Sequence, residues 1–441
     1  MRQALEDGER HLGWLYDQSD DTPHHAAVLQ RDGQKVSLRV PLAEPVNEVY
    51  RRWFGGRIRY GDDPARSRYT YHPPTVLWFD GQWGTATLVD CYARSWSSIL
   101  GRAGEGIIDC SMAVIGATPG VQYDTVDAVE SAVPGLGLWL ERDSLDRTVD
   151  WGPDGLPDRL TVRWSRTASV RLAQRMNLTV HPSFRFDDRV PGDGEVLEGT
   201  FVLHSQMARP RPWSEHLNLH RAVPSLMTIA CWHPWGLEDV RLRRADDPDR
   251  SLDGTAMGPG WRSAVVSQLD AVDRPSHRPQ FLFRFGDVPG SPVTRWLRLQ
   301  DGFEEPLSRI VRLAHWRRAD LVGLVQELGT IVELLGYQIG NEQAVRPKAK
   351  FETQAERILA QLPDAIRTAV AEWPSEFQTT YTAAKHADRE TPQQEALWRG
   401  VLVTRLLLRL WVATRLGVAP RRLVPAVRID QDARAAGLRI P

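Results

Sequence analysis

Residues 381–392, YTAAKHADRETP, place four charged or titratable side chains within five positions, namely Lys385, His386, Asp388 and Arg389. A neutral imidazole can act as a general base, and two cations can hold a phosphate and stabilise charge that develops on phosphorus. Metal-independent RNA cleavage needs a base for the 2′-hydroxyl, an acid for the leaving oxygen and cations for the phosphoryl oxygens. The residue types are sufficient for that chemistry. Basic residues are also favoured at any helix C-terminus by the helix dipole, so spacing alone leaves both interpretations open.

Other common chemistries lack support in the sequence. Neither a GxGxxG nor a GKS/T phosphate loop occurs, and there is no GxSxG nucleophile motif. The three cysteines, Cys91, Cys110 and Cys231, are far apart and form no CxxC pair, which argues against a disulfide framework and a structural zinc site. Cys231 and His233 could share one metal, but a lone CxH pair without partners is more often a core or loop feature. We therefore expect no metal and no cofactor.

Composition describes an ordinary globular chain with a basic C-terminal part. The 441 residues are 42% hydrophobic and 25% charged, with a net charge of -1. Residues 305–441 carry 20 Lys and Arg against 15 Asp and Glu, an excess that favours contact with a polyanion such as RNA. The start of the chain does not resemble a signal peptide, and arginines interrupt its most apolar late segment, GVLVTRLLLRLWVATRLGV. We expect a cytoplasmic protein with no membrane partner.

The N-terminal two thirds of the chain have the pattern of short strands. AAVLQRDGQKVSLRV predicts two strands around an Asp-Gly turn, and TVLWFDGQWGTATLVDCYA repeats this device at Asp80-Gly81. One helix is expected in WSEHLNLHRAVPSLMTIA. Further strands are predicted in these segments: GIIDCSMAVIG, LTVRWS, SVRLAQRMNLTVH, EGTFVLHSQ, VRLRR and QFLFRF.

After Gly302 the apolar residues recur at helical spacing. Residues 305–338 predict one long helix or a kinked pair, and residues 351–373 predict another with an irregularity at Pro363. A short helix is expected at about 374–387. The last is expected to begin at Thr391-Pro392, where Thr391 and Gln394 fit a capping box, and to run to Leu416-Gly417. Four such helices pack most simply as a bundle. We expect an α+β protein with a β-rich domain at 1–303 and a helical domain at 304–441.

Two further sets of residues have alternative interpretations. Arg405 and Arg409 lie one turn apart on the last predicted helix, where they could line a nucleic-acid-binding cleft or form the polar edge of a packed helix. Six N-terminal tryptophans could form a stacking platform for bases or sugars, although tryptophans at strand spacing usually pack in the core. They are Trp14, Trp53, Trp78, Trp83, Trp96 and Trp139.

Three segments carry a resemblance to a known family. The basic segment followed by RGVLVTRLLLRLWVATRLGV resembles the HEPN domain of ApeA-like bacterial anti-phage proteins. HLGWLYDQSDDTPHHAAVLQRDGQKVSLRVPL is similar to the opening strands of that family, and RPRPWSEHLNLHRAVPSLMTIACWHP to its later polar stretch and helix. The resemblance implies a β-rich sensor domain and an all-α HEPN-like helical bundle.

The resemblance also implies an activity. HEPN domains usually act as metal-independent ribonucleases, often as homodimers, and ApeA-like systems cause abortive infection by attacking RNA. It therefore implies RNA and a phage-derived trigger as partners and His386 as the motif histidine. HEPN nucleases typically carry an arginine four to six residues upstream, where this chain has Thr380, Tyr381 and Thr382. Lys385 and Arg389 are the expected substitutes, and a non-catalytic module that binds RNA or a protein is the alternative.

Overall fold

The computed structural model describes most of the chain. The described residues are 4–17, 24–42, 53–54, 64–65, 72–99, 102–164, 169–187, 196–251, 253–267, 269, 274–275, 277–316, 320–386, 388–390 and 392–440.

Strands dominate the first 266 residues. They are β1 (Arg10–Tyr16), β2 (His25–Asp32), β3 (Lys35–Leu42), β4 (Val76–Gly81), β5 (Gly84–Val89), β6 (Tyr92–Ile99), β7 (Arg102–Asp109), β8 (Met112–Ile115), β9 (Thr125–Ala132), β10 (Leu145–Trp151), β11 (Pro157–Trp164), β12 (Val170–Arg171), β13 (Thr179–Asp187), β14 (Val196–Pro212), β15 (Glu238–Arg250) and β16 (Ala256–Val266).

Helices dominate the remainder, although the first two helices of the chain lie among the strands. They are α1 (Leu136–Leu140), α2 (Trp213–Cys231), α3 (Pro292–Ala314), α4 (Leu321–Glu342), α5 (Phe351–Leu359), α6 (Asp364–Ala369), α7 (Trp373–Lys385), α8 (Gln394–Arg415), α9 (Pro420–Ile429) and α10 (Gln431–Ala435). Within the described ranges, no helix combines the length and the apolar character needed to cross a membrane.

Fourteen of the described strands form one continuous sheet, in the order β12-β13-β14-β9-β15-β16-β8-β5-β4-β1-β2-β3-β7-β6. Each pairing among them is antiparallel, which suits a chain in which neighbouring strands are joined by short turns. β3 shows the expected alternation, since Val36, Leu38 and Val40 are buried while the residues between them are partly exposed. β10 and β11 form a separate exposed hairpin.

Two hydrophobic cores stabilise the molecule. One belongs to the first part of the sheet and contains residues such as Leu15, Leu29 and Ile108. The other is continuous from the later strands, for example Leu203, through α2 to the helices beyond residue 292. The β-rich and helical parts therefore share one core, and α2 lies between them.

The helical part follows from its apolar spacing and its prolines. α3 bends at Phe303, whose backbone is not helical, because Pro306 cannot donate a hydrogen bond to the carbonyl four residues earlier and its ring crowds that carbonyl. The expected irregularity at Pro363 is confirmed, since α5 ends before it and α6 begins after it. α8 is deeply packed, with every residue from Leu406 to Ala413 buried.

The α+β arrangement, a β-rich part followed by helices, is confirmed. Both predicted hairpins form. The first turn, at residues 33–34, contains Gly33 of the predicted Asp-Gly turn, whereas the second lies at residues 82–83, beyond Asp80-Gly81, because Gly81 still pairs with Gly84 in the ladder. The helix predicted at residues 213–230 is confirmed as α2, and residues 305–338 form the kinked-pair alternative, α3 and α4.

Several local predictions are wrong. GIIDCSMAVIG is not one strand, because residues 110–111 are not in strand conformation and separate β7 from β8. QFLFRF is not a strand, since it crosses from α2 toward α3 and Leu282 donates its amide hydrogen to the Ala230 carbonyl instead of to a ladder. α8 begins at Gln394 with Gln393 as its N-cap, later than expected, and Thr391 of the predicted capping box lies outside the described residues. α9 and α10 were not expected.

Candidate functional site

The basic segment, defined as Lys385, His386 and Arg389, lies where α7 ends. Lys385 is the last helical residue, and His386 has an extended backbone while its amide still donates to the Thr382 carbonyl, at 3.2 Å. The amide of Arg389 then donates to the His386 carbonyl, at 3.1 Å. The segment is therefore a helix end followed by a tight turn, and not a continued helix.

The three side chains of the basic segment differ in whether other side chains hold them in place. All three are exposed. Neither His386 nor Arg389 makes a side-chain hydrogen bond or ion pair with another described residue. Lys385 is held, because its Nζ donates to Tyr381 Oη at 3.1 Å and lies 5.0 Å from the centre of that ring. The hydrogen bond to Tyr381, together with the negative charge of Glu333, raises the pKa of Lys385, so it remains a cation at neutral pH.

Tyr381 anchors this helix end. Its side chain is only 4% exposed, and its hydroxyl donates to Glu333 Oε2 at 3.2 Å. The ring lies against Gly329 of α4, where a Cβ would be 2.2 Å from the ring, so only glycine allows this approach. The side-chain amide of Gln326 also donates to the Ala384 carbonyl, at 2.6 Å. Tyr381, one of the positions where the family motif would place an arginine, is thus a packing residue that faces the core.

The chemistry available in the basic segment is limited to one proton at a time. His386 can act as a general base or as a general acid, while the cationic Lys385 and Arg389 can contact phosphate oxygens. RNA cleavage requires both a base and an acid. A single copy of the segment supplies one free imidazole, so a second proton donor must come from elsewhere.

Arg405 and Arg409 do not join the basic segment. They belong to a buried cluster that we call the α2–α8 junction, in which both guanidinium groups pair with Asp432 and Arg409 also pairs with Asp430 at 3.0 Å. Arg409 is 2% exposed, and its Nε and Nη2 donate to the carbonyls of Ile229 and Ala230, each at 3.0 Å.

The α2–α8 junction stabilises the C-terminal end of α2. The last carbonyls of α2 have no partner within that helix, and the guanidinium of Arg409 supplies one together with a favourable charge at the negative end of the helix dipole. Each guanidinium nitrogen of Arg409 donates to a protein group, so none of the three is free to bind a phosphate. Arg405 is partly open, with its side chain 20% exposed and lying 5.2 Å from the Trp232 ring.

The sequence interpretation missed a second polar cluster. Ser205 Oγ lies 2.7 Å from His216 Nδ1 and 2.8 Å from His220 Nε2, and Ser131 Oγ lies 2.7 Å from His220 Nδ1. All four residues are fully buried. Burial lowers the pKa of His216 to about 4 and that of His220 to about 3.

Serine–histidine pairs of this length resemble a nucleophile and its base, yet no substrate can reach side chains without any exposed surface. The hydrogen bonds of these pairs hold α2 against the sheet. The only sequence signal was the spacing of His216 and His220, four residues apart and thus on one face of a helix. Among the residues that the structure describes, no group of three or more His, Cys, Asp or Glu side chains is arranged to hold a metal ion.

Comparison with known proteins agrees with this architecture. The family model for ApeA N-terminal domain 1 matches residues 13–296, well over half of the chain. This range contains the large sheet and α2 and ends within the first turns of α3, before the basic segment. Searches of curated proteins and of solved structures found no match. The chain therefore belongs to the ApeA N-terminal domain 1 family and is an ApeA-like anti-phage protein.

Proposed function

We propose that the protein acts in anti-phage defence as a metal-independent ribonuclease of the HEPN type. In this proposal residues 1–303 sense a phage-derived trigger and residues 304–441 cleave RNA, which causes abortive infection. The observation that carries it is the exposure of His386 and Arg389 without side-chain partners among the described residues, beside a Lys385 that is held in place and charged. The bend of α3 at Phe303 supports the placement of the boundary.

The proposed roles follow from the side-chain chemistry. His386 removes the proton of the 2′-hydroxyl, or protonates the leaving 5′-oxygen. Lys385 and Arg389 contact the phosphoryl oxygens and stabilise the charge that builds up on them. Because one chain offers one free imidazole in this segment, the proposal includes a homodimer in which a second copy supplies the other proton-transfer group.

The test is RNA cleavage by the purified full chain in a buffer that contains a chelator, with and without an extract of phage-infected cells. His386→Ala should lower the cleavage rate by about 10²–10⁴-fold, which is the usual size of a general acid–base contribution. Glu390→Ala, an exposed neighbour without a proposed role, is the matched control and should cleave at the wild-type rate. Equal cleavage by wild type and His386→Ala, or no cleavage under either condition, would refute the proposal.

The second candidate function is a non-catalytic HEPN module that binds RNA or a protein partner. It is favoured by Tyr381, which is a buried anchor at a position where HEPN nucleases carry an arginine. The module should bind RNA without forming product, and the affinity should fall steeply as the salt concentration rises. Binding should persist in His386→Ala and weaken in Arg389→Ala.

A further inference from the structure

A cavity of about 520 Å³ adjoins the α2–α8 junction. Its wall comes from four parts of the chain: the C-terminal end of α2, the segment that precedes α3, the middle of α8, and the start of α10. The cavity lies where the β-rich part meets the helices and shares no lining residue with the basic segment. Its volume is within the range of small-molecule sites in proteins.

The wall is polar and rich in guanidinium groups. Four arginines line it, Arg274, Arg278, Arg405 and Arg409, against two aspartates, and Arg274 is paired with Glu198 and Glu238, which do not line the cavity. The aspartates are already engaged. Both pair with Arg409, Asp430 also accepts the amides of the first turn of α10, and Asp432 pairs with Arg405 as well.

Some of the cationic groups are free. Arg278 is exposed and makes no hydrogen bond or ion pair with another described residue, and the same holds for the imidazole of His277. Arg405 uses Nε and Nη2 for Asp432, while its Nη1 has no hydrogen-bond partner among the residues that the structure describes. The cavity therefore presents guanidinium groups that can accept a further anion.

An aromatic residue in a strained conformation, Trp232, also lines the cavity. Trp232 has φ of 53° and ψ of 43°, a left-handed conformation that favours glycine or asparagine at this position after a helix. Trp232 lines the cavity, and the Arg405 guanidinium lies over one face of its indole ring. A bulky residue keeps such a backbone only where the surroundings hold it there, and conformations of this kind are concentrated at functional sites.

We propose that this cavity is a binding site for a nucleotide, held by its phosphates on Arg278 and Arg405 and by its base on the Trp232 side of the cavity. Guanidinium groups match phosphate oxygens in geometry and charge, and an indole offers a surface on which a base can stack. A ligand there would contact residues next to both α2 and α8. The site is separate from the proposed ribonuclease centre, so it adds a small-molecule ligand that bridges the two parts of the molecule.

The test is calorimetric titration of the full-length protein, without RNA, with ATP, adenosine and inorganic triphosphate. ATP should bind saturably and more tightly than either of the other two. Arg278→Glu should weaken ATP binding by at least about tenfold, because it replaces a charge-assisted contact by repulsion. Arg278 is exposed, so the variant should fold as the wild type does, which its melting temperature checks.

Arg428→Glu is the matched control, since Arg428 is an exposed arginine of α9 outside the cavity wall, and it should keep ATP affinity within about twofold of wild type. Absence of saturable binding by ATP and triphosphate would refute the site, as would equal ATP affinity in Arg278→Glu and wild type. Equal affinity for triphosphate and ATP would refute the assignment of a nucleotide. None of these outcomes depends on RNA cleavage.

Discussion

Two sets of basic side chains in this molecule have opposite environments. The basic segment after α7 is exposed, and two of its three side chains have no partner among the described residues. The polar groups around α2 are buried and paired, from the serine–histidine pairs at its start to the Arg409 guanidinium at its end, although His216 Nε2 has no hydrogen-bond partner among the described residues. Residue type alone therefore does not separate a candidate reactive group from a structural one.

The two sets of side chains differ in how much hydration they lose on folding. A buried cation must recover the lost hydration from protein partners, and Arg409 does so with two carboxylates and two carbonyls. An exposed cation keeps its water and is free to exchange it for a phosphate. Changes at α2 should therefore affect folding, while changes in the basic segment should affect the interaction with RNA.

The largest effect on stability is expected for Arg409→Ala. The substitution leaves Asp430 and Asp432 with less compensating charge in a buried site, which should cost about 3–5 kcal/mol of unfolding free energy. The measurement is urea unfolding followed by tryptophan fluorescence. The matched control is Arg389→Ala in the basic segment, which should change stability by no more than about 0.5 kcal/mol. Equal effects of the two variants would remove the distinction between the regions.

Acid should destabilise the protein through the buried histidines. The folded-state pKa of His220 is about 3, below its ordinary value of 6.5, so folding favours the neutral imidazole. The stabilisation is complete above about pH 6.5 and is lost as the pH falls, by about 3 kcal/mol from this group at pH 4. Unfolding midpoints measured between pH 7 and 4 test this expectation.

Two variants connect the acid effect to α2. His220→Gln, which keeps a neutral polar side chain at the site, should flatten the acid-dependent part of the stability curve. His386→Gln in the exposed segment should leave the shape of the curve unchanged, because that imidazole has no partner among the described residues. A curve that is flattened by His386→Gln and not by His220→Gln would contradict the burial argument.

A smaller effect is expected where the basic segment is anchored. Gly329→Ala places a Cβ within 2.2 Å of the Tyr381 ring and should cost about 1–3 kcal/mol by overpacking. Gly302→Ala is the control, since no heavy atom lies within 4 Å of its added Cβ, and it should be neutral or stabilise by up to about 1 kcal/mol. Thermal unfolding of both variants decides whether this contact holds the end of α7, and a neutral Gly329→Ala would show that it does not.

The sequence determined the local features of the protein. Hairpins, apolar periodicity and prolines depend on neighbouring residues, so the two hairpins, α2, and the break at Pro363 were all predictable. The helix end at Lys385 was within reach for the same reason, and its exposed His386 agrees with the charged, polar stretch that surrounds it. The absence of an arginine at position 381 was visible too, although not the packing of the Tyr381 ring on Gly329.

The tertiary structure decided which polar groups are buried and with whom they pair. Arg409 meets carbonyls about 180 residues away, Ser131 meets His220 across 89 positions, and Ser205 joins both histidines of α2. The cavity at the α2–α8 junction is likewise assembled from four distant parts of the chain. Such pairings arise from the packing of whole elements, and the hydrogen bonds that make each of them favourable exist only after that packing. Local sequence patterns therefore do not predict them.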